Sequence, residues 1–455
     1  MKVFNTLTGK KEDFHPRGEG VTMYVCGITA YDKSHIGHAM TYIIFDVIKR
    51  YLRFKGYKVK HVQNFTDIDD KIIERANQVG MPPLELANKY VDQYFADMDA
   101  LNVERADIYP RATAEIPKVI EIIQGLLAKG YAYESEGSVY FRVRNFPNYG
   151  KLSHRNLSDM ISQTSTYEEK KEYPLDFALW KTSKPGEPFW ESPWGWGRPG
   201  WHIECSAMAL KYLGESMDIH GGGQDLIFPH HENEITQSEG FTGLVPFARY
   251  WLHNGLMQMD KQKMSKSTGN LVSVKDALNH FSSDAIRLFI LSSHYRSPLT
   301  YSEQALEASE RGAERLRWAV THRANMVQGV AMLNAQPFEQ KFIEAMDDDF
   351  NTPQAIAVLF ELTREINRSA EDCANITEAQ LTLLKLGGIL GLTLKEKAQP
   401  APDVEAFINL LASTRDDLRQ NQQWQLADKI RNGLADLGVT LEDTHQGTRW
   451  KYNKI

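Results

Sequence analysis

The sequence predicts an α/β chain: a parallel sheet interrupted by a long insertion, then a helical bundle, then a small C-terminal domain. Three observations near the N-terminus carry the first part. Residues 21 to 27 (VTMYVCG) form an apolar run ended by glycine, residues 41 to 56 (TYIIFDVIKRYLRFKG) place apolar side chains at helical spacing, and residues 57 to 66 (YKVKHVQNFT) alternate like a second strand. Strand, helix and strand in that order open a Rossmann-type parallel sheet, whose ligands sit beyond the carboxyl ends of the strands. Cys26 and the loop after it therefore fall where a site belongs.

The remaining elements follow in order. Residues 68 to 130 read as largely helical, with PPLELANKYVDQYFADMDAL and IPKVIEIIQGLLAKG as the clearest stretches. Residues 131 to 200 mix short strands with the loop EPFWESPWGWGRPGW, which marks an insertion at about 115–200 inside an α/β domain spanning 1–255. Residues 256–305 hold the polar run KQKMSKSTGN. Residues 306–395 become amphipathic helices, among them TPQAIAVLFELTREINRS with Thr352 as cap and Pro353 at the first helical position. A Pro/Ala-rich linker near KEKAQPAPDVE then leads into a compact tail, 396–455.

Composition narrows the class. The chain has 455 residues, 42% hydrophobic and 24% charged, the balance of an ordinary globular protein with material for a proper core. A net charge of −7 means that any nucleic-acid contact must use local patches. Three scattered cysteines, Cys26, Cys205 and Cys373, exclude a disulfide framework and suit the cytoplasm. The polar N-terminus and the lack of any run near ~20 apolar residues predict neither signal peptide nor membrane span.

Two motifs point to phosphate chemistry. In AYDKSHIGHAM, His35 and His38 stand three residues apart where a helix should begin, with Gly37 keeping that face open. A helix N-terminus offers unpaired N–H groups, and imidazoles beside it can stabilise charge growing on an α-phosphate. Far downstream, Lys263-Met264-Ser265-Lys266-Ser267 puts two ammonium groups on a Ser/Gly-rich loop, able to neutralise a triphosphate and leave with pyrophosphate. Read alone, the histidines are a surface loop and the lysines a solvated one; together they resemble the paired signature of class I aminoacyl-tRNA synthetases, which implies ATP-driven aminoacyl transfer.

A third cluster suggests a metal. In DIHGGGQDLIFPHHENEI, Pro229 is the expected first helical residue, so that His230 and Glu234 share one helix face at i and i+4. Cys26 and Cys205 (in GWHIECSAM) would complete a Cys₂-His-Glu set around Zn²⁺. Thiolate is a good zinc ligand and a hydroxyl a poor one, so such an ion in an amino-acid pocket suggests cysteine as the substrate, selected against serine by coordination. A zinc hydrolase would use the same HHxxE pattern, but it leaves KMSKS and the tail without a role.

YVCG, HIGHA, NFTDIDDKI, PGWHIECSAM, DIHGGG, FPHHENEI, KMSKS and LEDTHQGTRW together make the chain similar to the cysteinyl-tRNA synthetase family from end to end. The resemblance implies a zinc-dependent, ATP-using enzyme with magnesium accompanying ATP, tRNA(Cys) and L-cysteine as partners, and a cytoplasmic monomer with no membrane association. It implies Cys26, Cys205, His230 and Glu234 as zinc ligands and His35, His38, Lys263 and Lys266 as catalytic residues. Gly37, Gly221, Gly222, Gly223, Asp225 and Lys266 match nucleotide-binding positions, and Thr66 and Trp201 match the cysteine pocket. His202, His220 and His231 read equally well as hydrogen-bonded neighbours of the pocket. Ile28 and Ala30 depart from CGPTVYD and Met40 from HIGHAR, and CGIT with the missing arginine resembles the related mycothiol ligase, whereas Glu234 and the C-terminal segment resemble the tRNA enzyme.

The resemblance makes 256–305 a KMSKS and stem-contact region, whose Arg287 and Arg296 could meet phosphates or pair with acids. It makes the tail an anticodon-binding domain, with Arg419, Trp424, Asp428 and Asp443 as candidates for stacking on or bonding unstacked bases.

Overall fold

The computed structural model describes residues 1–162, 170–259, 262–263, 272–322, 332–395, 404–444 and 447–452. It divides into two compact units, Met1–Leu394 and Lys395–Ile455. The first begins with a hairpin of β1 (Lys2–Asn5) and β2 (Lys10–Asp13), followed by β3 (Gly20–Val25), α1 (Ile36–Phe54) and β4 (Lys58–Gln63). After α2 (Asp70–Val79), α3 (Pro83–Ala100) and α4 (Ile116–Ala128) comes an antiparallel sheet of β5 (Ala132–Ser135), β6 (Ser138–Phe141), β7 (Phe177–Thr182) and β8 (Gly197–Pro199), with α5 (Leu157–Ser162) in the β6–β7 connection. This sheet lies within the expected insertion. The chain then returns through α6 (Trp201–Leu213), β9 (Met217–Gly223), α7 (Glu232–Thr242) and β10 (Ala248–Asn254).

Strands β10, β9, β3 and β4 pair in that order, all parallel, as the sequence leads one to expect. The period-2 alternation of a strand decides what each face does. On β3, Val21, Met23 and Val25 pack with α1 in one hydrophobic cluster, while Tyr24 and, just beyond the strand, Cys26 pack with Cys205 and Met208 of α6 in a second. Cys26 thus faces the helix that carries Cys205, although the two are far apart in sequence.

Beyond the sheet, β11 (Met257–Met259), β12 (Gln262–Lys263) and β13 (Leu299–Thr300) form a small sheet around α8 (Val274–His280) and α9 (Ser283–Leu291). Helices α10 (Glu303–Thr321), α11 (Gln336–Asp347), α12 (Thr352–Glu371) and α13 (Thr377–Ile389) form the bundle. The cap of α12 is Asn351, whose side chain accepts from the Gln354 N–H, so Thr352 is the first helical residue and Pro353 the second, and the helix begins one residue earlier than the sequence suggested. The second unit consists of α14 (Val404–Gln420), α15 (Trp424–Asp436) and a hairpin of β14 (Val439–Thr444) and β15 (Gly447–Tyr452) around Ile408, Ala412, Leu434, Val439 and Leu441. Among the described residues no helix is long and apolar enough to cross a membrane.

Of the two readings left open for Arg287, the structure favours pairing with an acid: the side chain is fully buried. Its guanidinium pairs with Asp46 of α1 and donates to the carbonyls of Leu390 at 2.9 Å and Leu101 at 3.0 Å, tying α1, α3, α9 and the end of α13 together. Arg296 pairs with Asp349 at 2.9 Å and lies over the Phe4 ring. Removing one partner of a buried pair leaves an uncompensated charge. Arg287→Ala is therefore expected to lower the free energy of urea unfolding of the first unit by about 3–5 kcal/mol, with Arg287→Met, which also removes the charge but keeps much of the volume, costing less; a loss below about 1 kcal/mol in both would contradict a role for the charge.

Candidate active site

A cavity of about 530 Å³ opens at the carboxyl ends of β3 and β9, lined among others by Cys26, Gly27, His35, Gly37, His38, Lys71, Trp201, Gly223 and Asp225. One wall is the start of α1. His35 is its N-cap, and its Nδ1 accepts the His38 N–H at 3.3 Å while His38 Nδ1 accepts the His35 N–H at 3.5 Å. With both Nδ1 atoms accepting, each neutral imidazole carries its proton on Nε2, and the rings stack with centroids 3.7 Å apart. Burial, with His35 adding to it, pushes His38 down to about 3, so it acts as a neutral donor. A Cβ on Gly37 would stand 2.9 Å from the His35 ring, which explains why glycine separates the two histidines.

Beneath the cavity lies a buried donor set. Cys26 Sγ is 3.9 Å from Cys205 Sγ and 3.5 Å from Glu234 Oε1, and Glu234 Oε1 is 3.0 Å from His230 Nε2. Cys26, His230, His231 and Glu234 each bring a ligand atom within 4.8 Å of the others. His230 precedes α7 instead of opening it. The proline at 229 pushes Phe228 out of helical geometry (φ −137°, ψ 131°), and α7 starts at Glu232, after a short turn over Ile227–His231. The expected i, i+4 pair meets nonetheless.

The electrostatics tie these side chains into one coupled set. Burial, then the neighbouring Cys205, holds the Cys26 thiol well above its ordinary range. The Cys26 hydrogen bond draws Cys205 down to about 6. Burial disfavours charge on His230, but Glu234 and Cys205 outweigh it and hold it up, at about 10; Glu234 in turn is drawn down to about 2 against its own burial by His220 and His230. Among the described residues Glu234 Oε2 is buried without a hydrogen-bond partner of good geometry, with His220 Nε2 3.4 Å away. Two reduced thiols, an imidazole and a carboxylate with a spare lone pair suit Zn²⁺ better than any hard cation.

Further histidines orient this set. His202 Nδ1 lies 2.9 Å from His230 Nδ1, His231 Nδ1 lies 2.7 Å from His253 Nε2, and His253 Nδ1 lies 2.8 Å from Thr6 Oγ1. Burial, aided by neighbouring imidazoles, keeps His202, His231 and His253 below their ordinary value. Sequence reasoning passed over His253, which the fold places at the end of β10 opposite Gly222. It passed over Tyr24, buried against His220, and Glu204, buried and accepting the Thr66 hydroxyl at 2.9 Å.

The other expected residues divide. Trp201 lines the cavity and stacks on His230, with centroids 4.3 Å apart. Thr66 is buried and is not among the described residues that line the cavity. Of the glycine run, Gly223 lines the cavity with Asp225, while Gly221 packs on Phe45 and Gly222 on Leu226 and His231. The Lys263 backbone pairs with Gln258 in β12; Lys266 lies outside the described residues. In the second unit the Arg419 guanidinium is 6.0 Å over the exposed Trp424 ring, Asp428 is exposed one turn further along α15, and Asp443 is engaged by Arg415 at 2.7 Å and by Arg419.

Residues 14–311 match the family model of the class I (C) tRNA synthetase catalytic domain, and residues 341–395 match the DALR domain. The fold is shared with Mycobacterium tuberculosis methionyl-tRNA synthetase in complex with methionyl-adenylate, at 17% identity and a TM-score of 0.59 over 83% of this chain and 88% of that one. The parallel sheet and its cavity are thus those of a class I aminoacyl-tRNA synthetase. The chain is 56% identical to the cysteine–tRNA ligase of Dehalococcoides mccartyi over 100% of both chains, and 50% identical to that of Carboxydothermus hydrogenoformans over 99% of this chain and 100% of the other. It belongs to the cysteine–tRNA ligase family.

Proposed function

We propose that the chain activates L-cysteine with ATP, selects the thiol through a zinc ion held by Cys26, Cys205, His230 and Glu234, and transfers the cysteinyl group to the 3′ end of tRNA(Cys). The observation that carries this reading is the buried Cys₂-His-Glu set under a cavity whose wall is the His35–His38 helix start. Zinc bound there supplies a ligand preference for thiolate over hydroxyl.

The side chains do the rest. Trp201 bounds the amino-acid end, and Gly223 and Asp225 the nucleotide end; Thr66 is assigned to the amino-acid end by the family resemblance. The substrate carboxylate attacks the α-phosphate in line, with the Nε2–H groups of His35 and His38 and the ammonium groups of Lys263 and Lys266 meeting the growing negative charge. Magnesium accompanies ATP. Pyrophosphate leaves in this first step; a terminal ribose hydroxyl of the tRNA then attacks the activated carbonyl, the bond from that carbonyl to the AMP oxygen breaks, and AMP leaves as the hydroxyl proton is lost. Arg419, Trp424, Asp428 and Asp443 form the anticodon-recognising surface of the second unit. The four-way division, with a catalytic domain over 1–255, a stem-contact region over 256–305, a bundle over 306–395 and an anticodon domain over 396–455, is the organisation we assign to these steps in a cytoplasmic monomer.

ATP–pyrophosphate exchange with each of the twenty amino acids, followed by charging of bulk tRNA, tests the proposal. Exchange with cysteine alone and charging of tRNA are expected. Exchange with cysteine but no charging would move the acceptor to a small molecule, and undiminished exchange after metal removal would overturn the zinc assignment.

A further inference from the structure

We infer that Lys71 is a substrate-contacting residue of the transfer step, binding a phosphate near the 3′ end of the tRNA as the terminal ribose enters the cavity. The inference rests on the transfer reaction proposed above. It is carried by where the fold puts one lysine.

The sheet order β10-β9-β3-β4 places the end of β4, and α2 after it, on the far side of β3 from β9 and β10. The ends of β9 and β10 give the cavity Gly223, Asp225 and Asn254, the nucleotide wall of the reading above. Lys71, in the first turn of α2, lines the same cavity and is exposed there. The backbone beneath it is fixed. Asp69 caps α2, accepting the Lys71 N–H at 2.9 Å. Asp70 is held by Lys181 of β7 at 2.8 Å and by the buried Arg198 of β8, which clamps this turn to the insertion sheet. Asp70 therefore spends its charge on the insertion, while the next residue points an ammonium into the cavity. Lys71 makes no ion pair among the described residues; its Nζ sits 5.8 Å from the centroid of Tyr31, which also lines the cavity.

Lys71 comes to the cavity from the β4 side of the sheet, and Gly223, Asp225 and Asn254 from the β9 and β10 side. Two anions other than the triphosphate are offered to it. One is the amino-acid carboxylate, whose charge is lost when the adenylate forms. The other is the phosphodiester backbone of the incoming RNA, present only when transfer occurs. A compact ammonium beside the positive end of a helix suits the second, and such contacts fix register without reading sequence.

Lys71→Met and Lys71→Arg in the full chain, assayed for cysteine-dependent exchange and for tRNA charging across a series of KCl concentrations, decide the matter. Expected for Lys71→Met is a fall of about tenfold in charging kcat/KM beyond any fall in exchange, the worth of one charge-assisted bond. The slope of log kcat/KM against log salt should flatten by about 0.7, the value of one single-strand phosphate contact. Lys71→Arg should recover most of the loss. A rise in the KM for cysteine with exchange and charging falling in proportion would assign Lys71 to the carboxylate and overturn the proposal, as would no change in either assay or an unchanged salt slope. Wild-type chain that exchanges but does not charge would instead refute the transfer reaction itself, independently of Lys71.

Discussion

Cys205→Ser is expected to yield a folded chain that has lost its zinc and more than about a hundredfold of its cysteine-dependent exchange. Outer-shell changes at metal sites already cost about 10–100-fold, and this one removes a donor of the proposed zinc set. Serine nearly matches cysteine in volume, so the fully packed surroundings of Cys205 on α6, with Ala207, Met208 and Ala209 buried beside it, have no cavity to collapse into. The change is one of donor chemistry. The thiol that Cys26 draws down to about 6 becomes a hydroxyl that does not ionise near neutrality, and the site loses half of its soft ligands. Zinc content per chain, the melting temperature and exchange with cysteine measure the three parts separately. Retained zinc with full exchange would remove Cys205 from the ligand set. A melting temperature far below that of the wild type would mean instead that the thiol's packing matters more than its donor.

What was legible in the sequence was local. The strand, helix and strand at the N-terminus, the histidine pair at a helix start and the two cysteines could be read because periodicity and motif spacing act over a few residues. That Cys26 and Cys205 lie 3.9 Å apart was beyond reach, because it depends on β3 turning Cys26 toward α6, and strand alternation assigns faces only once the sheet order is known. Buried polar residues were the hardest. Arg287 reads as a surface cation in any helical pattern, and only the carbonyls of Leu101 and Leu390, from distant parts of the chain, make its burial tolerable. Glu204 and His253 were hidden for the same reason. The start of α7 was misplaced because a proline that suits the first turn of a helix also forbids helical geometry to the residue before it, and here the second effect prevailed.

Gly27→Ala should abolish most activity without touching a ligand. An ideal Cβ at Gly27 would overlap the carbonyl oxygen of Asn64 on the neighbouring strand end. That oxygen is backbone, so it cannot swing aside as a side chain would. The Gly27 N–H also donates to Asn64 Oδ1 at 2.8 Å, and the next turn of the ladder, Thr66 N–H to Ile28 at 3.1 Å, keeps the two chain segments in register. To admit one methyl group the ends of β3 and β4 must part by on the order of 1 Å, and Cys26, adjacent in sequence, moves with them. A displacement of that size at a reacting centre costs about a hundredfold in rate, whereas overpacking of this kind costs about 1–3 kcal/mol of stability. The expected result is therefore exchange reduced by about a hundredfold in a chain that still melts cooperatively, against Gly18→Ala as the control, since nothing lies within 4 Å of a Cβ there. Exchange within threefold of wild type would mean that the strand ends yield without moving the thiol, and the rigid spacing between Cys26 and the rest of the donor set would lose its claim to set the rate.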